Sequence, residues 1–151
     1  MRRVAGKGIR VALFVGLLAA RSAAAQPRPT VAGSLERVRG ARGDSAIDVR
    51  VAVTITDGWH IGARTPGVVG IPTRLEWQLP KGWSVVSEVW PRPEAALVGR
   101  DSAFTYSGSL TIRASLVGPR AVSREPVQAV LSYGICREMC IPGQVTLRLA
   151  R

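Results

Sequence analysis

The chain is 151 residues long and carries 21 Lys and Arg against 10 Asp and Glu, which gives a formal net charge of +11. This length suits a single domain. A nucleic-acid partner would require a basic stripe with interleaved aromatic residues, whereas the cations here are scattered along the chain. The composition therefore predicts no nucleic-acid partner, and with two cysteines and one histidine few side chains are available for chemistry.

Residues 1–25 have the pattern of a secretory signal peptide. A basic start precedes the apolar run VALFVGLLAA (11–20), and small residues follow it. The run is shorter than the roughly 20 residues that span a bilayer. We expect export, cleavage after Ala25 and no stable membrane insertion afterwards, with an uncleaved anchor as the alternative. Export also permits a disulfide between the two cysteines.

The segment 26–45 is rich in Pro, Gly and Arg and predicts a flexible leader, with an edge strand near Val31 to Val38. The segment AIDVRVAVTIT (46–56) then alternates apolar and polar residues with period two, which is typical of a half-buried strand. Asp57-Gly58 is a turn dipeptide that ends this strand. The Gly and Pro residues of ARTPGVVGIP (63–72) predict a loop.

Five further strands are predicted at 73–80, 83–90, 104–118, 126–135 and 144–151, with a long connection at 91–103. Within several of them the apolar residues share one face: Leu75, Trp77 and Leu79; Leu110, Ile112, Ala114 and Leu116; Val127, Ala129, Leu131 and Tyr133; Val145, Leu147 and Leu149. No segment shows a helical period. Short strands separated by turns predict an all-β, immunoglobulin-like antiparallel β-sandwich, which we expect over residues 46–151.

The two cysteines lie in GICREMCIPG (134–143). The flanking Gly134 and Pro142 favour a hairpin in which Cys136 ends one strand, 137–139 form the loop and Cys140 begins the next strand. Cross-strand Cβ atoms are about 4.5–5.5 Å apart, within adjustment of a disulfide. A bond that closes so short a loop contributes only about 2 kcal/mol. Short exposed disulfides tend to be labile or catalytic. The cysteine spacing alone, however, does not decide between a redox-active pair and a passive structural bond.

The sequence offers few residues for a metal site or a hydrolytic active site. A zinc site usually needs four Cys or His ligands, and a copper site of Cys, His and Met type would need His60 and Met139 near the cysteines, where nothing in the sequence places His60. No motif of a hydrolase is present. A binding module with a passive disulfide is a second reading, and its clue would be exposed tryptophans among Trp59, Trp77, Trp83 and Trp90. Copper or zinc handling is a third reading, although we expect no bound metal and no cofactor.

Several segments in order resemble the N-terminal periplasmic domain of the DsbD-type thiol:disulfide interchange proteins. These are DGWHI (57–61), TPGVVGIPTRLEWQLPKGW (65–83), VWPRPE (89–94), YSGSL (106–110) and AVLSYGICREMCIPG (129–143). The resemblance implies an Ig-like sandwich in the periplasm whose redox pair, Cys136 and Cys140, needs no cofactor. It also implies a membrane-embedded thiol-relay protein as electron donor, and disulfide isomerases or the thioredoxin-fold proteins of cytochrome c maturation as acceptors.

The same resemblance implies a role for each sulfur. Cys140 matches the attacking cysteine of the family and Cys136 the resolving one. A cap segment that shields the pair would lie near 90–104, with Trp90 or Phe104 as its aromatic lid. Full-length family members continue into a membrane domain and a thioredoxin-like domain, whereas this sequence stops at Arg151. We therefore expect either partners encoded elsewhere or a free-standing relative with a changed role.

Overall fold

The structure is a computed structural model that describes residues 28–38, 45–98, 100–119 and 126–150. These residues form ten β-strands and no helix: β1 (Val31–Arg37), β2 (Ala46–Ile55), β3 (His60–Gly67), β4 (Arg74–Gln78), β5 (Ser84–Val89), β6 (Glu94–Val98), β7 (Asp101–Ser107), β8 (Ser109–Val117), β9 (Gln128–Cys136) and β10 (Cys140–Arg148). In this part of the chain no helix is long and apolar enough to cross a membrane. The predicted signal peptide at 1–25 lies outside the described residues.

The strands form two antiparallel sheets. The first has the order β1-β2-β8-β5, and the second has the order β10-β9-β3-β7-β6, with β4 pairing to β9 beside that path. Two sheets of antiparallel strands bury their apolar faces against each other, as in immunoglobulin-like domains. The prediction of an all-β, Ig-like antiparallel β-sandwich is confirmed.

The core lies between the sheets and is built from the alternating residues of the long strands. Val51 on β2 pairs with Ile112 on β8, and both side chains are fully buried. Ala129 and Leu131 on β9 are buried in the same cluster. Because a buried Val, Leu or Ile contributes roughly 1.5–3 kcal/mol, this cluster dominates the stability of the fold. The inward faces predicted for these strands are confirmed.

Strand β1 lies within the segment 26–45, where we expect an edge strand. It pairs with β2 along its whole length, from Val31 opposite Ile55 to Arg37 opposite Val49. Its Leu35 is 2% exposed and packs in the core. The strand thus contributes to the sandwich although it precedes residue 46, at which we expect the domain to begin.

Three predicted segments differ from the structure. The segment 104–118 is not one strand, because the chain turns at Gly108, whose φ of 63° suits glycine. The connection predicted at 91–103 contains β6 and the start of β7, which form a hairpin. The loop predicted at 63–72 begins as strand β3, which reaches Gly67 and pairs with β7 on both sides of an irregularity. Gly and Pro mark turns, but edge and bulged strands also accept them.

Candidate functional site

The cysteines lie at the tip of the hairpin formed by β9 and β10. Cys136 is the last residue of β9 and Cys140 is the first residue of β10, and the two are directly paired. Their Sγ atoms are 2.07 Å apart in a disulfide, and their Cα atoms are 4.0 Å apart. The Arg137 N–H donates to the Met139 carbonyl at 3.2 Å within the loop. The hairpin predicted from the cysteine spacing is confirmed.

The two bonded cysteines differ in burial. Cys136 is 5% exposed and lies beside the buried Ile135, whereas Cys140 is exposed at the start of its strand. The loop between them is exposed throughout, and Met139 is 72% exposed. A sulfur nucleophile that approaches from solvent therefore reaches Cys140 more easily than Cys136.

Strand β9 changes its partner just before Cys136. It pairs with β4 from Gln128 to Ser132, and with β3 only at Ile135 and Cys136. Between these two partners, the segment 68–73 that joins β3 to β4 passes over Gly134, and we call it the crossing segment. A Cβ at Gly134 would lie 2.6 Å from the Cβ of Ile71 in this segment. Glycine is required here because Ile71 occupies the space of a side chain. The crossing segment is thereby packed on β9 two residues before Cys136.

Hydrogen bonds to β3 fix the same crossing segment. The buried Thr73 hydroxyl donates to the Gly62 carbonyl at 2.5 Å. The Thr73 N–H also donates to the Ala63 carbonyl at 3.2 Å. A side chain at Gly62 would collide with the Ile71 carbonyl. The segment therefore packs directly on the backbone of β3, which explains the glycine at position 62.

A cleft of about 80 Å³ lies beside the disulfide. It is lined by both cysteines and the loop between them, by His60 at the start of β3, by the turn that follows β3, and by β7 around Phe104. Arg137 and Glu138 both lie on its rim, so opposite charges flank the disulfide. The cleft is small and partly apolar, and both cysteines line it.

Of the two aromatic residues predicted to cover the cysteines, Phe104 is the one at the cleft. It lies on β7, lines the cleft and is 42% exposed. Trp90 does not line the cleft, because its ring stacks on Tyr106 with centroids 6.2 Å apart. The hairpin of β6 and β7 therefore brings one aromatic side chain to the disulfide.

A carboxylate holds the segment that leads into this hairpin. Both Trp77 and Trp90 donate their indole N–H to Glu88, each at 2.7 Å. The Arg64 guanidinium lies 5.4 Å from the centre of the Trp90 ring, a cation–π distance. The Tyr106 hydroxyl donates to the Pro91 carbonyl at 3.1 Å, and burial raises the pKa of this tyrosine. These contacts fix the chain at 90–91, just before β6.

The tryptophans do not provide an exposed aromatic surface. Trp59, Trp77, Trp83 and Trp90 are all partly buried and pack against the core. The clue that would have favoured a binding module, exposed tryptophans, is therefore absent at these four positions.

The structure brings His60 to the cysteines, which the sequence did not predict. His60 begins β3 and pairs directly with Cys136 on β9. Met139 lines the same cleft, in the loop where it was expected. In the described residues no group of three or more His, Cys, Asp or Glu side chains is arranged to hold a metal ion. Strand register brought His60 here, and its only sequence signal is its place just after the Asp57-Gly58 turn.

The fold and the site define a class of domain: an immunoglobulin-like β-sandwich with a disulfide in its end hairpin and an aromatic side chain at the same cleft. The family described as "Thiol:disulfide interchange protein DsbD, N-terminal" matches residues 37–150. The chain belongs to this family. The resemblance noted in the sequence is thus confirmed.

Solved structures of periplasmic domains are similar to this chain. The N-terminal periplasmic domain of ScsB from Proteus mirabilis is similar with a TM-score of 0.57 and 21% identity, over 80% of this chain and 45% of that one. The reduced N-terminal domain of DsbD from Neisseria meningitidis has a TM-score of 0.46 and 15% identity, over 72% of this chain and 79% of that one. The chain thus spans less than half of the ScsB domain. No curated protein matches the chain in sequence.

Proposed function

We propose that this protein is an electron-relay domain that works in the periplasm by thiol–disulfide exchange at Cys136 and Cys140. The observation that carries the proposal is the disulfide itself, in which an exposed Cys140 is bonded to a buried Cys136 beside a cleft. Membership of the DsbD N-terminal family supports the same function. No cofactor takes part in this chemistry.

The oxidised domain is reduced in two steps. A donor thiolate attacks Cys140 Sγ, so that a mixed disulfide forms and Cys136 leaves as a thiolate. A second donor thiolate attacks the donor sulfur of the mixed disulfide and releases Cys140 as a thiolate. The donor leaves as a disulfide, and the domain has gained two electrons.

The reduced domain passes these electrons on by the reverse sequence. The Cys140 thiolate attacks a disulfide of the acceptor, and one acceptor sulfur leaves as a thiolate. The Cys136 thiolate then attacks Cys140 Sγ, restores the internal disulfide and releases the second acceptor sulfur. Cys140 is the attacking residue because it is exposed, and Cys136 resolves because it is held beside it in the hairpin.

Partners of this exchange are proteins with accessible cysteine pairs. Exposed apolar side chains flank Cys140: its sequence neighbours Met139 and Ile141 are 72% and 43% exposed, and Phe104, which lines the same cleft, is 42% exposed. Exposed apolar clusters mark protein interaction sites. We infer a membrane thiol-relay protein as donor and thioredoxin-fold proteins, including those of cytochrome c biogenesis, as acceptors. The signal peptide predicted at 1–25 would deliver the domain to the periplasm.

A trapping experiment tests this function. The Cys136→Ser variant retains Cys140 and should accumulate a mixed disulfide with an oxidised thioredoxin-fold protein, since nothing resolves it. The Cys140→Ser variant should not. If neither variant captures such a protein, the relay proposal is wrong.

The reduction potential separates the relay from a passive disulfide. It is measured by equilibrating the protein with glutathione mixtures and counting free thiols. A redox-active pair should be reducible in this range, whereas structural disulfides lie below about −300 mV. A potential well below that value would favour the passive disulfide and contradict the relay.

A further inference from the structure

His60 and Cys136 are directly opposite each other on neighbouring strands. Strands β3 and β9 pair only at His60 with Cys136 and at Ile61 with Ile135. Directly opposite residues point to the same face of a sheet, with Cβ atoms about 4.5–5.5 Å apart. Ile61 and Ile135 are both buried in the core, so His60 and Cys136 lie together on the outer face. Both also line the cleft.

The buried sulfur has a proton to gain and lose in every cycle. When a donor attacks Cys140, Cys136 leaves as a thiolate at a position that is only 5% exposed. Burial disfavours the charged form of a thiol, so this thiolate needs a nearby cation or a proton. When the domain later reduces an acceptor, Cys136 has to lose that proton again before it can attack.

His60 is the side chain in the cleft that is suited to both tasks. An imidazole accepts and donates a proton near neutral pH, and this is the only histidine of the chain. The guanidinium of Arg137 is a donor without an acceptor atom, and the carboxylate of Glu138 repels a thiolate. Asp57 lines a second hollow, which His60 also lines. Glu94 on β6 is a further carboxylate on this side, where it accepts a hydrogen bond at 2.6 Å from Ser107, the residue opposite His60 on β7.

We propose that His60 is the proton donor and acceptor for Cys136, an inference that rests on the relay function proposed above. On reduction of the domain, protonated His60 stabilises the departing Cys136 thiolate and transfers its proton to that sulfur. On oxidation, neutral His60 takes the proton back, and the Cys136 thiolate attacks Cys140 Sγ. The electron pair moves between sulfur atoms only, and His60 carries the proton.

The titration of Cys136 tests this role. In the Cys140→Ser variant Cys136 is the only thiol, and its thiolate absorbance is followed as a function of pH. Adding His60→Gln should move the titration midpoint upward by about 1 unit or more, because a nearby opposite charge favours the ionised thiol by 1–3 units. An unchanged midpoint would overturn the proposal. Circular dichroism verifies that both proteins are folded.

Arg74→Gln is the matched control. Arg74 pairs with Ser132 on β9, which lies on the same face as Cys136 but farther along the strand. This substitution removes a cation from the same face of β9 without changing the neighbour of Cys136, so the midpoint should move little. If Arg74→Gln shifts the midpoint as much as His60→Gln does, the effect is one of overall charge and the specific role is contradicted.

A kinetic measurement on the two-cysteine protein covers the case in which a single-cysteine variant fails to fold. A mixed disulfide between Cys140 and a small thiol is prepared, and its resolution by Cys136 is followed from pH 5 to 9. His60→Gln should slow resolution about tenfold at neutral pH, because a midpoint raised by about one pH unit lowers the thiolate fraction of Cys136 about tenfold. The difference should vanish at high pH, where Cys136 is a thiolate in both proteins. Equal rates at all pH values would overturn the proposal.

The two proposals fail in different ways. If wild-type protein exchanges with thioredoxin-fold partners but His60→Gln changes neither midpoint nor rate, the relay stands and the histidine role is wrong. If the titration midpoint depends on His60 but no partner is ever captured, the histidine affects Cys136 in a domain that has no relay function.

Discussion

Cys136 and Cys140 are paired across one hairpin, but Cys140 is exposed to solvent and Cys136 is buried, with 5% of its surface exposed. This difference predicts unequal reactivity of the two thiols. In single-cysteine variants, Cys140 should react with a neutral alkylating reagent several times faster than Cys136, after each rate is corrected for its thiolate fraction. Mass spectrometry of timed samples measures both rates.

Denaturant provides the control for this comparison. In an unfolding concentration of urea both cysteines are exposed, and their corrected rates should become equal. A faster reaction of Cys136 than of Cys140 in the folded protein would contradict the assignment of Cys140 as the attacking residue.

Phe104 should protect the disulfide from small thiols. It lines the cleft beside both sulfur atoms, so Phe104→Ala should open the cleft and speed reduction by dithiothreitol. Stopped-flow measurement of the reduction rate tests this expectation. Leu97→Ala is the matched control, because Leu97 lies on the other strand of the same hairpin and is 82% exposed. Equal rates in the two variants would show that Phe104 does not shield the bond.

The sequence predicted those features that depend on local alternation. Strand β2 reads Ile47, Val49, Val51, Val53 and Ile55 on one face, and all five are buried as expected. The cysteine hairpin was predictable for the same reason, since Gly134, Pro142 and a three-residue loop define it locally. Where neighbouring residues alone set the geometry, the pattern was sufficient.

Contacts between distant strands could not be predicted. The pairing of His60 with Cys136 depends on the register of β3 against β9. These two strands pair only after β9 has left β4, in the stretch around Gly134. The strand β3 itself was hidden by its Gly and Pro residues, which a bulged strand tolerates. The choice between Trp90 and Phe104 likewise depended on tertiary packing around Glu88.

Glu88 should contribute to stability through its two indole partners. Trp77 and Trp90 donate to different oxygens of the carboxylate, and the side chain of Glu88 is 19% exposed. In Glu88→Gln one oxygen becomes an NH₂ group that cannot accept, so one indole N–H loses its partner. We expect a loss of about 1–3 kcal/mol in the free energy of unfolding, measured with urea.

Glu76→Gln is the control for this substitution. Glu76 lies on β4 and is exposed, so removing its charge should change the free energy of unfolding by less than about 0.5 kcal/mol. If the two variants are equally stable, the hydrogen bonds of Glu88 contribute nothing measurable.

The buried tyrosine predicts a loss of stability at alkaline pH. Burial raises the pKa of Tyr106 above its ordinary value of 10.0, so the unfolded chain releases this proton before the folded one does. The folded state then binds more protons, and the free energy of unfolding falls as pH rises through and above about 10. Tyr106→Phe should weaken this dependence, as followed by urea unfolding between pH 8 and 11.

Tyr133 shares the effect and provides a second test. Burial raises its pKa as well, and these two are the only tyrosines of the chain. The double Phe variant should therefore lose more of the alkaline dependence than either single variant. An unchanged dependence in the double variant would assign the alkaline loss to other groups.

Gly134, two residues before Cys136 on β9, is covered by Ile71. A Cβ there would lie 2.6 Å from the Cβ of Ile71 and 2.8 Å from its Cδ1, so Gly134→Ala has to displace the crossing segment. Overpacking of this kind costs about 1–3 kcal/mol in the free energy of unfolding. The displaced segment should also expose Cys136, so that its alkylation in the Cys140→Ser background becomes faster. Ser132→Ala, two residues earlier on the same face of β9, removes atoms instead of adding them and should leave alkylation unchanged. If Gly134→Ala is destabilised while Cys136 reacts as slowly as before, the segment around Ile71 stabilises the fold without shielding the sulfur.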